Sequence, residues 1–434
     1  MSAWRSSPSP QFGGRATVPG DKSISHRALI LSAMAEGESR IRGLLTSEDV
    51  MATAKAVEAL GARIEGNGSE WRVEGGPWTS PEDPLDCGNS GTSARLLMGA
   101  AAGVEGLRAT FTGDASLSRR PMHRITEPLS RMGARFDGAD HLPITLHGQR
   151  LGGIDHVGRV ASAQVKTALL FAGLRSKGPV RIVEPVPSRD HGEVMLLQFG
   201  VEVDAEPCPE GWCVRLGNQR SLRPTDIHVP GDPSSAAFLW AAAAIIHGAS
   251  VTTPGVCINA GRTGFLEAIE RMGARVEIDA ERIQSGEPVA DVTVSHDRLE
   301  PIHLAPDQVP STIDEIPLLA CVASFADGES HLEGLGELRH KESDRLGAVA
   351  AGLTANGVSV FPEADALRIL GRGKVRGGGM VLAHGDHRIA MAFLTLGLGA
   401  RQPVTLDDGR SIAVSFPGFA EVMRSLGAQL EELE

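Results

Sequence analysis

The chain has 434 residues, is 41% hydrophobic and 22% charged, and carries a formal charge of −12 at pH 7. That balance supports buried cores and opposes a general binder of nucleic acid or anionic membrane, which needs a basic surface. The longest apolar run, 236–246, is too short for the roughly twenty residues that cross a bilayer. Tyrosine is absent, and the five cysteines show no CxxC spacing, which argues against a disulfide framework or a zinc site.

From the N-terminus, the opening residues lack the apolar core of a secretory leader, so a reducing cytoplasm is expected. One signal then recurs along the chain. A helical pattern with apolar residues at Val50, Ala54, Val57 and Leu60 stops at Gly61, and an alternating strand follows. The same junction returns at Gly133, Gly200, Gly273, Gly357 and Gly427, each time as Gly-Ala or Gly-Val, at intervals of 67–84 residues. Glycine there is predicted to take the left-handed conformation that ends a helix.

Ahead of each junction lies a helix of small apolar residues opened by a polar turn. The six openings are Lys22-Ser23-Ile24-Ser25-His26-Arg27, Asn89-Ser90-Gly91-Thr92, Ser162-Ala163-Gln164-Val165-Lys166, Asp232-Pro233-Ser234-Ser235, Ser311-Thr312-Ile313-Asp314-Glu315 and Asp386-His387-Arg388. Helices apolar nearly all round are buried ones. Each unit reads strand, buried helix, strand, amphipathic helix, strand. Six units exceed what one core accommodates, which predicts two domains of three units. Each domain would hold three parallel buried helices with their N-termini on one face.

The chemistry gathers at helix starts. A helix N-terminus offers free N–H groups and about half a positive charge, which favours anions. Ser, Thr, Asp and Asn are also ordinary caps, and capping suffices for Asp232 and Ser234. Lys22, His26 and Arg27 in one first turn oppose the dipole, which is costly unless an anion offsets it. Arg119-Arg120-Pro121, the run Arg339 to Arg345, and His387-Arg388 repeat that conflict. Arginine's planar fork suits phosphate and carboxylate. A net-acidic chain with local basic clusters implies small, multiply anionic substrates. Asp314 and Glu342 fall beside these bases, where a carboxylate stays ionised and can accept a proton from a hydroxyl, whereas Asp344 reads as a surface ion pair. Only six lysines occur, and Lys55 and Lys177 read as solvated. The Gly371–Gly379 run lacks a phosphate-loop pattern, and His384-x-x-His387 has no third ligand at a useful spacing.

These stretches, together with Gly113-Asp114-Ala115-Ser116-Leu117, Ser188-Arg189-Asp190-His191 and Lys341-Glu342-Ser343-Asp344-Arg345, resemble the 5-enolpyruvylshikimate-3-phosphate synthases among the enolpyruvyl transferases. The matches run in order over nearly the whole chain. The resemblance implies an α/β fold of two similar domains, each of three βαβαββ units around three buried parallel helices, an inside-out α/β barrel. One domain would span 21–228 and the other 1–20 with 229–434, with the active site in the cleft between them. It implies transfer of the enolpyruvyl group of phosphoenolpyruvate to the 5-hydroxyl of shikimate 3-phosphate, through a tetrahedral intermediate that releases phosphate. That reaction belongs to the shikimate pathway and aromatic amino-acid synthesis, and it is the target of glyphosate.

By the same resemblance, Lys22, Ser23, Arg27, Ser162, Ala163, Gln164, Arg189, Asp314 and Lys341 would hold shikimate 3-phosphate. Lys22, Gly91, Arg120, Gln164, Arg345 and Arg388 would hold phosphoenolpyruvate. Asp314 would take the hydroxyl proton, and Glu342 or Lys22 would protonate the methylene. No cofactor or metal is implied, and a cytoplasmic monomer that binds neither nucleic acid nor membrane is expected. The family's lysine in an Ala-Lys-x-Phe-Pro segment is replaced by Val414 here. The sister enzyme acting on UDP-N-acetylglucosamine is the nearest alternative, but its usual cysteine is missing from the 113–118 loop. A non-catalytic scaffold is a second alternative, opposed by the joint presence of Lys22, Asp314, Lys341, Glu342, Arg345 and Arg388.

Overall fold

A computed structural model describes residues 2–68, 70–138 and 140–433. The chain folds as two compact units. One comprises Gly20–Val229 with Gln284–Glu287; the other comprises Met1–Pro19, Pro230–Ile283 and Pro288–Glu434. The four residues Gln284–Glu287 form the tip of the hairpin of strands Arg275–Gln284 and Glu287–Ser295, which otherwise belongs to the second unit, an excursion that repeat spacing carries no sign of.

Among the described residues each unit contains three four-stranded sheets. One repeat runs as strand Leu85–Asp86, helix Gly91–Ala102, strand Arg108–Thr112, helix His123–Met132, then strands Arg135–Asp137 and Ile144–His147. Leu85–Asp86 pairs parallel with Arg108–Thr112, and the other neighbours pair antiparallel. That is a βαβαββ unit. Three sheets are completed by distant chain. Ile227–His228 pairs parallel with Gly37–Arg42. Gly13–Arg15 pairs parallel with Ser250–Cys257. Ala3–Ser7 lies between Val404–Leu406 and Gln429–Leu433, with Ala3 opposite Leu433.

The six glycine junctions share one geometry. Gly61, Gly133, Gly200, Gly273, Gly357 and Gly427 all have positive φ, from 81° to 116°. In every case the next residue's N–H reaches back five residues to a helical carbonyl, as Ala134 does to Leu129 at 3.1 Å. This is the Schellman closure. The next residue is always Ala or Val and always buried, so the recurring dipeptide pairs a glycine that turns the chain with a side chain that seals the helix end.

In the Gly20–Val229 unit the three buried helices are Lys22–Met34, Gly91–Ala102 and Ala163–Leu174. In the other unit they are Pro233–Ile245, Ile316–Ala323 and His387–Gly399. Every residue of Pro233–Ile245 is buried, as its uniformly apolar sequence predicts. The fifth helix departs from the expected opening: a separate turn, Val309–Thr312, precedes it, and Asp314 lies in the link. Among the described residues no helix is long and apolar enough to cross a membrane.

Candidate active site

In the Gly20–Val229 unit the three helix starts are capped by side chains. Asp21 accepts from the Ile24 N–H at 2.9 Å, Ser90 from Ser93 at 3.1 Å, and Ser162 from Val165 at 3.4 Å. Each cap is worth about 1 kcal/mol. The starts are also tied to each other. The Arg27 Nη2 donates to Thr167 Oγ1, and the Gln164 Nε2 to Thr92 Oγ1, both at 2.9 Å. Three positive helix ends therefore meet one cluster of donors.

Lys22 corrects part of the sequence argument. Its charge against the dipole is offset by a protein carboxylate: Nζ lies 2.5 Å from Asp49 in the next helix. Asp49 is 27 residues away, beyond the reach of motif reading. Arg27 is 2% exposed. Its Nη1 donates to the Ser23 carbonyl at 2.9 Å, and its Nε has no partner among the described residues. Burial pulls its guanidinium down to about 10, against the pull of Glu193 and Asp21, and the neighbouring Arg189 charge pushes the same way as burial. Paired guanidiniums are suited to an anion of more than one charge.

Around Gly91, Arg120 donates to Asn89 at 2.6 Å, Asn89 donates to Asp114 at 2.7 Å, and Arg95 donates to Gln164 at 2.6 Å. A Cβ at Gly91 would lie 3.4 Å from both the Arg120 and the Arg95 Nη1. Arg95 was missed from the sequence, although it is a cation in the first turns of a buried helix, the signal that picked out Lys22. Beneath Ser162, the buried Lys166 Nζ lies 3.1 Å from Glu184 and 2.7 Å from Glu193. Burial pulls its ammonium down, but the two carboxylates outweigh that and hold it above its ordinary value. Glu184 accepts from the Ser162 N–H at 2.6 Å and from the Ser188 hydroxyl at 2.7 Å. One carboxylate thus fixes the two segments that carry Ser162, Ala163 and Arg189. Lys55 and Lys177 are exposed.

In the other unit, Asp314 lies among three cations. Its carboxylate is 3.7 Å from Lys341 Nζ, 3.5 Å from Arg345 Nη1 and 3.9 Å from Arg388 Nη2. Arg345 is 1% exposed and also pairs with Asp386 at 2.8 Å and Glu342 at 2.6 Å. Burial lowers its pKa, and those carboxylates raise it by more. Burial likewise pushes the Asp386 carboxyl up, yet Arg345 brings it below the usual range. Arg388 Nη1 lies 3.0 Å from Glu315, which accepts from the Ser234 hydroxyl at 2.5 Å. So the starts of Pro233–Ile245, Ile316–Ala323 and His387–Gly399 are linked through one carboxylate. Asp344 caps the Gly347 N–H at 3.1 Å and pairs with Arg339 at 3.0 Å. Glu315 and Asp386 were missed as site residues because their partners lie 41–81 positions away. Val414 closes the turn Arg410–Val414, and nearby Arg410 pairs with Asp408 at 2.6 Å. Cys87 is fully buried, and burial pushes its thiol up to about 12, which makes it a poor nucleophile.

The family model described as EPSP synthase (3-phosphoshikimate 1-carboxyvinyltransferase) matches residues 7–423. A 3-phosphoshikimate 1-carboxyvinyltransferase of Caulobacter vibrioides is 48% identical, over 100% of this chain and 99% of its own. That of Parvibaculum lavamentivorans is 50% identical, over 97% and 95%. The solved EPSP synthase from Acinetobacter baumannii superposes with a TM-score of 0.88 at 40% identity, covering both chains fully. The enolpyruvyl transferase NikO from Streptomyces tendae shares the fold, with a TM-score of 0.79 at 19% identity.

Proposed function

This chain belongs to the EPSP synthase (3-phosphoshikimate 1-carboxyvinyltransferase) family, and we propose that its two clusters of charge serve the two anions of that one reaction. The enzyme transfers the enolpyruvyl group of phosphoenolpyruvate to the 5-hydroxyl of shikimate 3-phosphate and releases phosphate, in the pathway to aromatic amino acids.

In this reading Ser23, Arg27, Ser162, Ala163, Gln164, Arg189 and Lys341 hold shikimate 3-phosphate. Lys22, Gly91, Arg120, Gln164, Arg345 and Arg388 hold phosphoenolpyruvate. The observation that carries it is the placement of Asp314 among Lys341, Arg345 and Arg388. A carboxylate among cations that bind anionic substrates is poised to take a hydroxyl proton. The 5-oxygen then bonds to C2 of phosphoenolpyruvate while C3 gains a proton from Glu342 or Lys22. Loss of the C2–phosphate bond and of one C3 proton restores the enol ether. The transfer uses no cofactor or metal, and the protein works as a cytoplasmic monomer.

The buried Cys87 thiol disfavours the sister reaction on UDP-N-acetylglucosamine. Phosphate release from phosphoenolpyruvate is the test. Release with shikimate 3-phosphate, and none with UDP-N-acetylglucosamine, is expected. Release with the nucleotide sugar alone would overturn the acceptor, and none with either would leave a binding scaffold.

A further inference from the structure

We propose that His303, His331 and Glu333 form a binding site for a divalent transition-metal ion of the zinc type. Nothing in the enolpyruvyl transfer calls for this site. His303 lies on the strand His303–Leu304 and His331 on the parallel strand Asp327–Glu333, directly opposite each other in the register. Glu333 is two residues beyond His331, so the strand alternation puts it on the same face. The flanking Ser330 and Leu332 point to the other face and are fully buried.

The three side chains converge on one oxygen. Glu333 Oε1 is 3.2 Å from His303 Nε2 and 3.4 Å from His331 Nδ1, and one donor atom from each residue fits within 4.8 Å of the other two. Metal–ligand bonds of about 2.0–2.1 Å at a tetrahedral ion put donor atoms about 3.3–3.4 Å apart. The two contacts to Glu333 already match that edge, and the third edge, between the two imidazoles, is no longer than 4.8 Å. Two imidazoles and one carboxylate suit zinc, cobalt, nickel or copper rather than magnesium or calcium, which prefer all-oxygen sites. Three protein ligands leave a fourth position for water.

The neighbouring charge is already neutralised. Arg368, opposite His331 on the next strand, lies 3.1 Å from Glu363 and 3.5 Å from Glu329. A bound ion would join two strands that are otherwise paired through only two residues each, and so would stabilise the fold against heat.

The probe is Co²⁺ added to the metal-free full-length protein near neutral pH, followed by its visible d–d absorption, with Zn²⁺ as competitor. One equivalent that gives the intense band of a four-coordinate ion, displaced by Zn²⁺, is expected. The band is expected to vanish in the His303→Ala/His331→Ala variant and to weaken in Glu333→Gln. Zn²⁺ is expected to raise the melting temperature of the parent and not that of the double variant. The variant's shikimate 3-phosphate-dependent phosphate release without metal should equal the parent's, which separates this site from the enolpyruvyl chemistry. Co²⁺ uptake equal in parent and double variant, or no band in the parent, would overturn the proposal and leave a hydrogen-bonded cluster.

Discussion

Replacing Lys166 with methionine keeps the length of the side chain and removes its charge. The ammonium is fully buried between Glu184 at 3.1 Å and Glu193 at 2.7 Å, both also buried. The variant leaves two buried carboxylates without the ammonium that pairs them, with Arg27 the remaining cation that acts on Glu193. Breaking a buried pair from one side costs about 3–5 kcal/mol. For a unit of this size that is a fall in melting temperature of roughly 6–20 °C. The sign with pH follows from linkage. Lys166 is held above its ordinary value, so in the parent its contribution is complete at neutral pH and fades only in alkali. Burial already pushes the Glu193 carboxyl up, against the pull of Lys166, and without that lysine it rises further. The variant therefore regains stability as pH falls toward the ordinary glutamate value, more than the parent does. Scanning calorimetry and urea titration at pH 7.5 and 5.5 read both effects. Because Glu184 also holds the Ser162 and Ser188 segments, KM for shikimate 3-phosphate should rise. A melting temperature within about 2 °C of the parent's, or a loss equal at both pH values, would refute the reasoning.

Asp314→Asn removes the proposed proton acceptor and keeps its shape. General-base loss of this kind lowers kcat by about 10²–10⁴-fold, with KM for both substrates within a few-fold, read by steady-state phosphate release. Gly91→Ala puts a methyl group in contact with the Arg95 and Arg120 guanidiniums. It should raise KM for phosphoenolpyruvate and weaken inhibition by glyphosate, with KM for shikimate 3-phosphate little changed. An equal rise for both substrates would place Gly91 elsewhere in the chemistry.

The repeat was legible because its signals are local. A glycine followed by a small apolar residue closes a helix within five residues, and that closure appears at Gly61 and at the five later junctions. The cations at helix starts were legible for the same reason: Lys22, Arg27 and Arg388 stand where the dipole opposes them. Asp314 and Glu342 stood out beside such bases, but the more distant carboxylate partners did not. Asp49 is 27 residues from Lys22 and Asp386 is 41 from Arg345, and only the folded chain brings them together. Lys166 is the sharpest case. It stands inside a recognised motif, yet its role comes from Glu184 and Glu193, whose acidity is unremarkable in sequence.

The strand Ala3–Ser7 is synthesised long before both its neighbours, Val404–Leu406 and Gln429–Leu433. Strand Ile227–His228, by contrast, completes its sheet with Gly37–Arg42 when barely half the chain exists. On the ribosome, the Gly20–Val229 unit can therefore close early, while the first residues wait without a partner until the last ones emerge. Loss of residues 429–433 would then strip one neighbour from the strand Ala3–Ser7. Because Ala3 and Leu433 are paired, a short peptide joining the two ends would turn that late, long-range step into a hairpin, and folding of the second unit should become faster.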